Sequence, residues 1–179
     1  KLTACSNNNN MNWTAFLGNY YIDKDNSRAY SLLLKASTDR FVSDGDYTFA
    51  AVMASYDLGE MYLFGSGVLQ DSDKALHYFT ICVKHSGHKN SAIRIAQILG
   101  EKWAHDNKNY TSLIKAYAWW KIAQALPNGA PPIKDINGKI TDPSEFMKIF
   151  EVSESFRSHL HEASTLAKKI CATIPECRQ

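Results

Sequence analysis

The chain has 179 residues, 45% of them apolar and 21% charged, enough to build a packed core. A formal net charge of +2 excludes a strong attractive field for nucleic acid or anionic lipid. No apolar run reaches the roughly 18 residues that a membrane-spanning helix requires.

In chain order, the first feature is Leu2-Thr3-Ala4-Cys5. It resembles the lipobox of bacterial lipoproteins, in which a small residue precedes a cysteine that is cleaved and acylated. The resemblance implies that residues 1–4 are a leader remnant and that Cys5 carries the lipid. It also implies a periplasmic protein whose membrane contact runs only through that anchor. Ser6 and the asparagines at 7–10 follow. A polar tract of this kind cannot pack, so residues 1–11 are expected to act as a tether.

A repeat occupies residues 12–126. Leu-Gly recurs at Leu17-Gly18, Leu58-Gly59 and Leu99-Gly100, at an interval of 41 residues both times. A second landmark lies downstream at Arg28-Ala29, Lys74-Ala75 and Lys115-Ala116. The Gly-to-Ala spacing is 16 residues in the second and third units and 11 in the first, so the first has a shorter loop. A helical stretch precedes each Leu-Gly, and glycine inside a helix costs about 1 kcal/mol relative to alanine. Close packing of another helix over the glycine is expected to compensate. Gly65-Ser66-Gly67 supplies positive φ for a turn, and Asp71 stands where the next helix needs an N-cap. The second helices share one face: Ala29, Leu32, Leu33, Ala36; Ala75, Tyr78, Phe79, Cys82; Ala116, Trp119, Trp120, Ala123.

Leu58-Gly59-Glu60-Met61-Tyr62, Gly65-x-Gly67-Val68, Asp71 and Lys74-Ala75-x-x-Tyr78 resemble the Sel1-like repeat nearly position for position. Ala116 through Ala123 is similar to the second helix of that repeat. In the third unit the Gly-x-Gly-Val turn is replaced by residues 103–110, and the first unit is degenerate. The resemblance implies an all-α fold: an α-solenoid of about three helix–turn–helix repeats, whose usual role is to hold another protein.

Residues 127–142 hold Pro127, Asn128-Gly129, Pro131-Pro132 and Asn137-Gly138 and read as a long loop. Asp142-Pro143-Ser144-Glu145 then announces a helix. The apolar or small stripe Phe146, Ile149, Ser153, Phe156, Leu160, Ala163, Ala167, Ile170, Ile174 predicts one long amphipathic helix over 143–179, or two with a break. Such an element should cap the solenoid's open end. Cys171 and Cys177 flank Pro175 closely enough to be bridged in an oxidising compartment, although a bridge from Cys82 to either stays open.

The sequence offers little chemistry. It has no nucleophile elbow, phosphate loop, dinucleotide fingerprint or HExxH. His85-x-x-His88 provides two metal ligands without an evident third, and His159 and His161 point apart on a helix. No enzyme, metal or cofactor is expected. Trp119-Trp120 falls on the repeat positions of Leu32-Leu33 and Tyr78-Phe79, which marks it as core.

A protein partner is expected on the concave face, lined by the first helix of each pair. The outward positions predicted there are Glu60, Met61 and Phe64, then Arg94, Gln97, Glu101 and Trp103, with His105, Asp106 and Lys108 on the departing loop. Small Sel1-like lipoproteins resemble the immunity proteins that neutralise type VI secretion toxins, often phospholipases. That resemblance implies a toxin as partner and occlusion as mechanism. The alternative is an adaptor for envelope assembly, signalling or host contact.

Overall fold

The computed structural model describes residues 11–39, 47–105, 110–127, 133–134, 140–141 and 154–177, so Cys5 and all of the predicted tether but Met11 lie outside them. The chain divides into two units, residues 1–85 and 86–179.

The first unit holds two helical hairpins. Helix α1 (Met11–Tyr21) turns within four residues into α2 (Asn26–Ser37). Asp23 carries this short turn at φ +64°, and Asp25 caps α2 by accepting the Arg28 N–H at 3.0 Å. Helix α3 (Phe49–Phe64) starts at Thr48. The Thr48 hydroxyl accepts the Ala51 N–H at 3.2 Å and donates to the Asp39 carboxylate at 2.8 Å. Gly65 ends α3 in the left-handed region at φ +70°, with Gly67 at φ +74°. Helix α4 (Ser72–Ser86) is capped by Asp71, which accepts the Lys74 and Asp73 N–H groups at 2.9 and 3.1 Å. The Lys74 N–H bond, first among several contributions, holds the Asp71 carboxyl below its ordinary range.

The repeated Leu-Gly marks where two helices cross. A Cβ on Gly18 would fall 2.7 Å from Leu33 Cγ, and one on Gly59 would fall 2.6 Å from Phe79 Cε1. Leu33 and Phe79 occupy the same repeat position, and both are fully buried. The hairpins stack on one another: α1 and α2 both pack on α3. Ala29, Leu33 and Ala36 of α2 share a core with Ala50, Ala54, Leu58 and Met61 of α3. Tyrosines seal the seam. The Tyr30 and Tyr62 hydroxyls lie 3.0 Å apart, and the Tyr62 and Tyr78 rings stack at 5.8 Å. This is the stacking of an all-α solenoid.

The second unit contains a third hairpin, α5 (Lys89–His105) and α6 (Tyr110–Ala125), packed on each other. Trp119 and Trp120 are buried in it. The expected loop contains a small antiparallel ladder, β1 (Ile133–Lys134) with β2 (Ile140–Thr141), a minor addition to the all-α fold. Past it come α7 (Glu154–Arg157), α8 (Leu160–Cys171) and a 3-10 turn (Pro175–Cys177). The break between α7 and α8 falls at Ser158-His159, where the His159 N–H donates to the Phe156 carbonyl and the His159 ring stacks on Tyr110. The stripe residues Phe146, Ile149 and Ser153 lie outside the described residues. Helix α8 packs on α6 and buries Ala163 and Ala167.

A disulfide joins Cys171 to Cys177, with Cα atoms 5.3 Å apart. Cys82 takes no part in it: its buried thiol donates to the Val52 carbonyl at 3.2 Å. No helix among the described residues is long and apolar enough to cross a membrane.

Candidate functional site

Helix α3 buries one stripe and exposes another. Ala54, Leu58 and Met61 point into the core. Phe49, Met53, Asp57, Glu60 and Phe64, spaced by three or four residues, share a neighbouring face, on which Phe49, Met53 and Phe64 are exposed, Glu60 is half-buried and Asp57 is buried. Phe49 is 72% exposed, an unusual cost for a phenylalanine, and Met53 and Phe64 are also exposed. Helix α1 lies beside α3 and contributes Phe16, 54% exposed, with Trp13 and Tyr20 on its outer surface.

Between the two helices runs a groove of about 600 Å³. Small residues, Ala15 and Ala50, form its floor and allow the helices to approach. Phe16, Phe49 and Met53 form apolar walls, and Asn12, Asn19 and Asp57 complete the lining.

Asp57 is the single ionisable group in that lining among the described residues. It is only 8% exposed, and its Oδ2 accepts a hydrogen bond from Asn19 Nδ2 at 3.0 Å. Burial pushes its carboxyl up to about 6. The Asn19 hydrogen bond works against that rise, and the charge of Glu60 adds to it.

The predicted partner-binding residues divide. Glu60, half-buried, and Phe64, exposed, lie on the groove-side stripe of α3. Met61 was expected to face outward, but it is 1% exposed and belongs to the core. The physical reason is phase: adjacent helical residues differ by about 100°, so Glu60 and Met61 cannot share a face. Arg94 was also expected outward. It is 4% exposed, within a run from 91 to 96 that is buried throughout, and its Nη1 donates to Gln97 Oε1 at 3.2 Å. Gln97, Glu101 and Trp103 are half-buried and His105 is exposed, all on α5. Asp106 and Lys108 lie outside the described residues.

Phe16, Asn19, Phe49, Met53 and Asp57 are absent from the sequence-based expectation. The repeat itself held a signal for them. The residue just before Leu-Gly is Phe16 in the first hairpin and Asp57 in the second, and both line the groove. Asn12 and Met53 are likewise one repeat apart.

Other candidates dissolve into structure. His88 Nδ1 pairs with Ser91 Oγ at 2.8 Å at the start of α5, and burial lowers its basicity. Among the described residues no group of three or more His, Cys, Asp or Glu is placed to hold a metal.

The Sel1 repeat family model matches residues 15–39 and 52–81, the first two hairpins. These two segments are similar to Sel1 repeats. The first matched segment contains the groove residues from Ala15 to Asn19 and the second those from Met53 to Asp57, while Asn12, Phe49 and Ala50 lie outside the match. Comparison with curated proteins and with solved structures found no match. Sel1 repeats mark a protein-interaction module, and proteins built from them are in general non-enzymatic scaffolds.

Proposed function

We propose that this chain binds a segment of another protein in the α1–α3 groove, and that its partner is a type VI secretion toxin such as a phospholipase, which it neutralises by occlusion. The observation that carries the docking reading is the pair of phenylalanines, Phe16 and Phe49, held open to solvent on either side of a groove between two hairpins similar to Sel1 repeats. Large exposed aromatics rimmed by polar groups are the anchors of protein interfaces.

The toxin reading has separate supports. The Leu2-Thr3-Ala4-Cys5 run resembles a lipobox, which would place the protein on the periplasmic side of a bacterial membrane. The Cys171–Cys177 bridge is of a kind that persists in oxidising compartments. A lipid on Cys5 would hold the module where a lipid-directed toxin arrives. Occlusion then needs no chemistry from this chain, only a rigid surface that covers the toxin's active site or docking face.

The test is a protection assay. A type VI phospholipase toxin is directed to the periplasm of a sensitive strain, with and without the full-length protein. Survival only in its presence is expected, and survival falls with a Phe16→Ala/Phe49→Ala double variant that keeps its helical circular dichroism. No protection by the unaltered protein overturns the immunity reading and leaves the adaptor role as the successor.

A further inference from the structure

The groove is apolar along its walls and acidic at one place. Asp57 is more than nine-tenths buried, and among the described residues Asn19 is its hydrogen-bonding partner and no cationic side chain belongs to the lining. Glu60 follows one turn later on the same face. An occupant that fills the space between Phe16 and Met53 removes the remaining water from the Asp57 carboxylate. Burying an ionised carboxylate without a compensating donor opposes binding strongly. A purely aliphatic segment would therefore be rejected at the point where the walls would otherwise welcome it, and an acidic one would meet the Asp57 carboxylate.

We propose that the groove selects a partner segment in which an apolar side chain is followed by a lysine or arginine, the apolar group lying between Phe16, Phe49 and Met53 and the cation meeting Asp57. This inference rests on the docking reading of the groove and adds the chemistry of the occupant. The cation supplies the donor that Asp57 loses as water leaves, and a charge-assisted hydrogen bond is stronger than a neutral one. Asn19 keeps Asp57 oriented, because its Nδ2 occupies Oδ2 and leaves the other oxygen for the guest. The Asp57 carboxyl, though raised to about 6, is still mostly ionised at pH 7, so the attraction is between full charges.

The experiment uses the whole protein and simple probes. n-Hexylammonium, n-hexanol and hexanoate are each titrated at pH 7.5 while the Asn19 side-chain amide and the Met53 methyl are followed by NMR. n-Hexylammonium is expected to bind about tenfold more tightly than n-hexanol, with hexanoate weakest. In Asp57→Asn, which keeps the shape and the Asn19 contact, the preference for the cation should shrink to about onefold while the alcohol binds as before or better. Equal binding of all three probes by the unaltered protein overturns the proposal, as does a cation preference that survives Asp57→Asn. Absence of shifts at both groups for every probe overturns it too. These failures leave the docking reading standing if the Phe16→Ala/Phe49→Ala variant still loses protection. Loss of the docking reading shows instead as protection that ignores that variant.

Discussion

At the scale of single residues, Asp57 sets the strongest expectation. Its carboxyl sits at about 6 in the folded protein against about 3.9 in an unfolded chain. A raised carboxyl favours the protonated form, so its contribution to stability is fully present below about pH 4 and is lost as pH rises through about 6. Asp57→Asn should therefore stabilise the protein at pH 7.5 by roughly 2–3 kcal/mol and change little at pH 3.5. Urea unfolding at the two pH values checks this, and equal stabilisation at both would contradict it. Gly59 makes the opposite point. Alanine there gains about 1 kcal/mol of helix propensity, but its Cβ would stand 2.6 Å from the buried Phe79 ring. Overpacking costs about 1–3 kcal/mol, so Gly59→Ala should lower the thermal midpoint, whereas the same change on an exposed helix face would raise it.

At the scale of elements, caps and crossings were legible and helix faces were less so. Asp71 as cap, Gly65 and Gly67 as turn, and Gly18 and Gly59 as crossing points each demand a particular residue type for a local reason, and local reasons survive in a sequence. Met61 and Arg94 show what does not survive. Their orientation depends on which flank of a helix its neighbours cover, and that is decided by packing rather than by spacing. Phe49 and Met53 were hidden for a related reason: an exposed apolar residue looks like a core residue until the core is seen. The same scale carries a test of the α3 start. Thr48→Ala removes both the N-cap bond and the bond to Asp39, and should cost about 1 kcal/mol or somewhat more in denaturant unfolding. The Cys171–Cys177 bridge closes a loop with a sequence separation of 6. Its double replacement by serine should cost about 2 kcal/mol in the same measurement, since short loops lose the least entropy on closure.

At the scale of the molecule, five of the six exposed aromatics among the described residues, Trp13, Phe16, Tyr20, Phe49 and Phe64, lie on α1 or α3 of the first unit, and the sixth, Tyr110, lies on α6. A folded protein with such a surface should brighten a hydrophobic dye in native buffer, and Phe16→Ala/Phe49→Ala should reduce that signal without loss of helix content. A dye response unchanged by the double variant would place the apolar surface elsewhere. The second unit presents a different case. There the third hairpin keeps the Leu-Gly and Lys-Ala landmarks, but Ile98, at the position of Phe16 and Asp57, is buried. The position before Leu-Gly thus holds an exposed Phe16, a buried Asp57 and a buried Ile98, so a shared hairpin does not dictate a shared surface.

Gly87, at φ +56°, is seated so closely against Glu176 that a Cβ would fall 2.8 Å from that residue's Cβ. The opening and closing turns of the second unit therefore lean on one another like the two ends of a clasp. Fraying at either end would loosen both, so proteases attacking the tail would meet a segment guarded by residues almost ninety positions upstream.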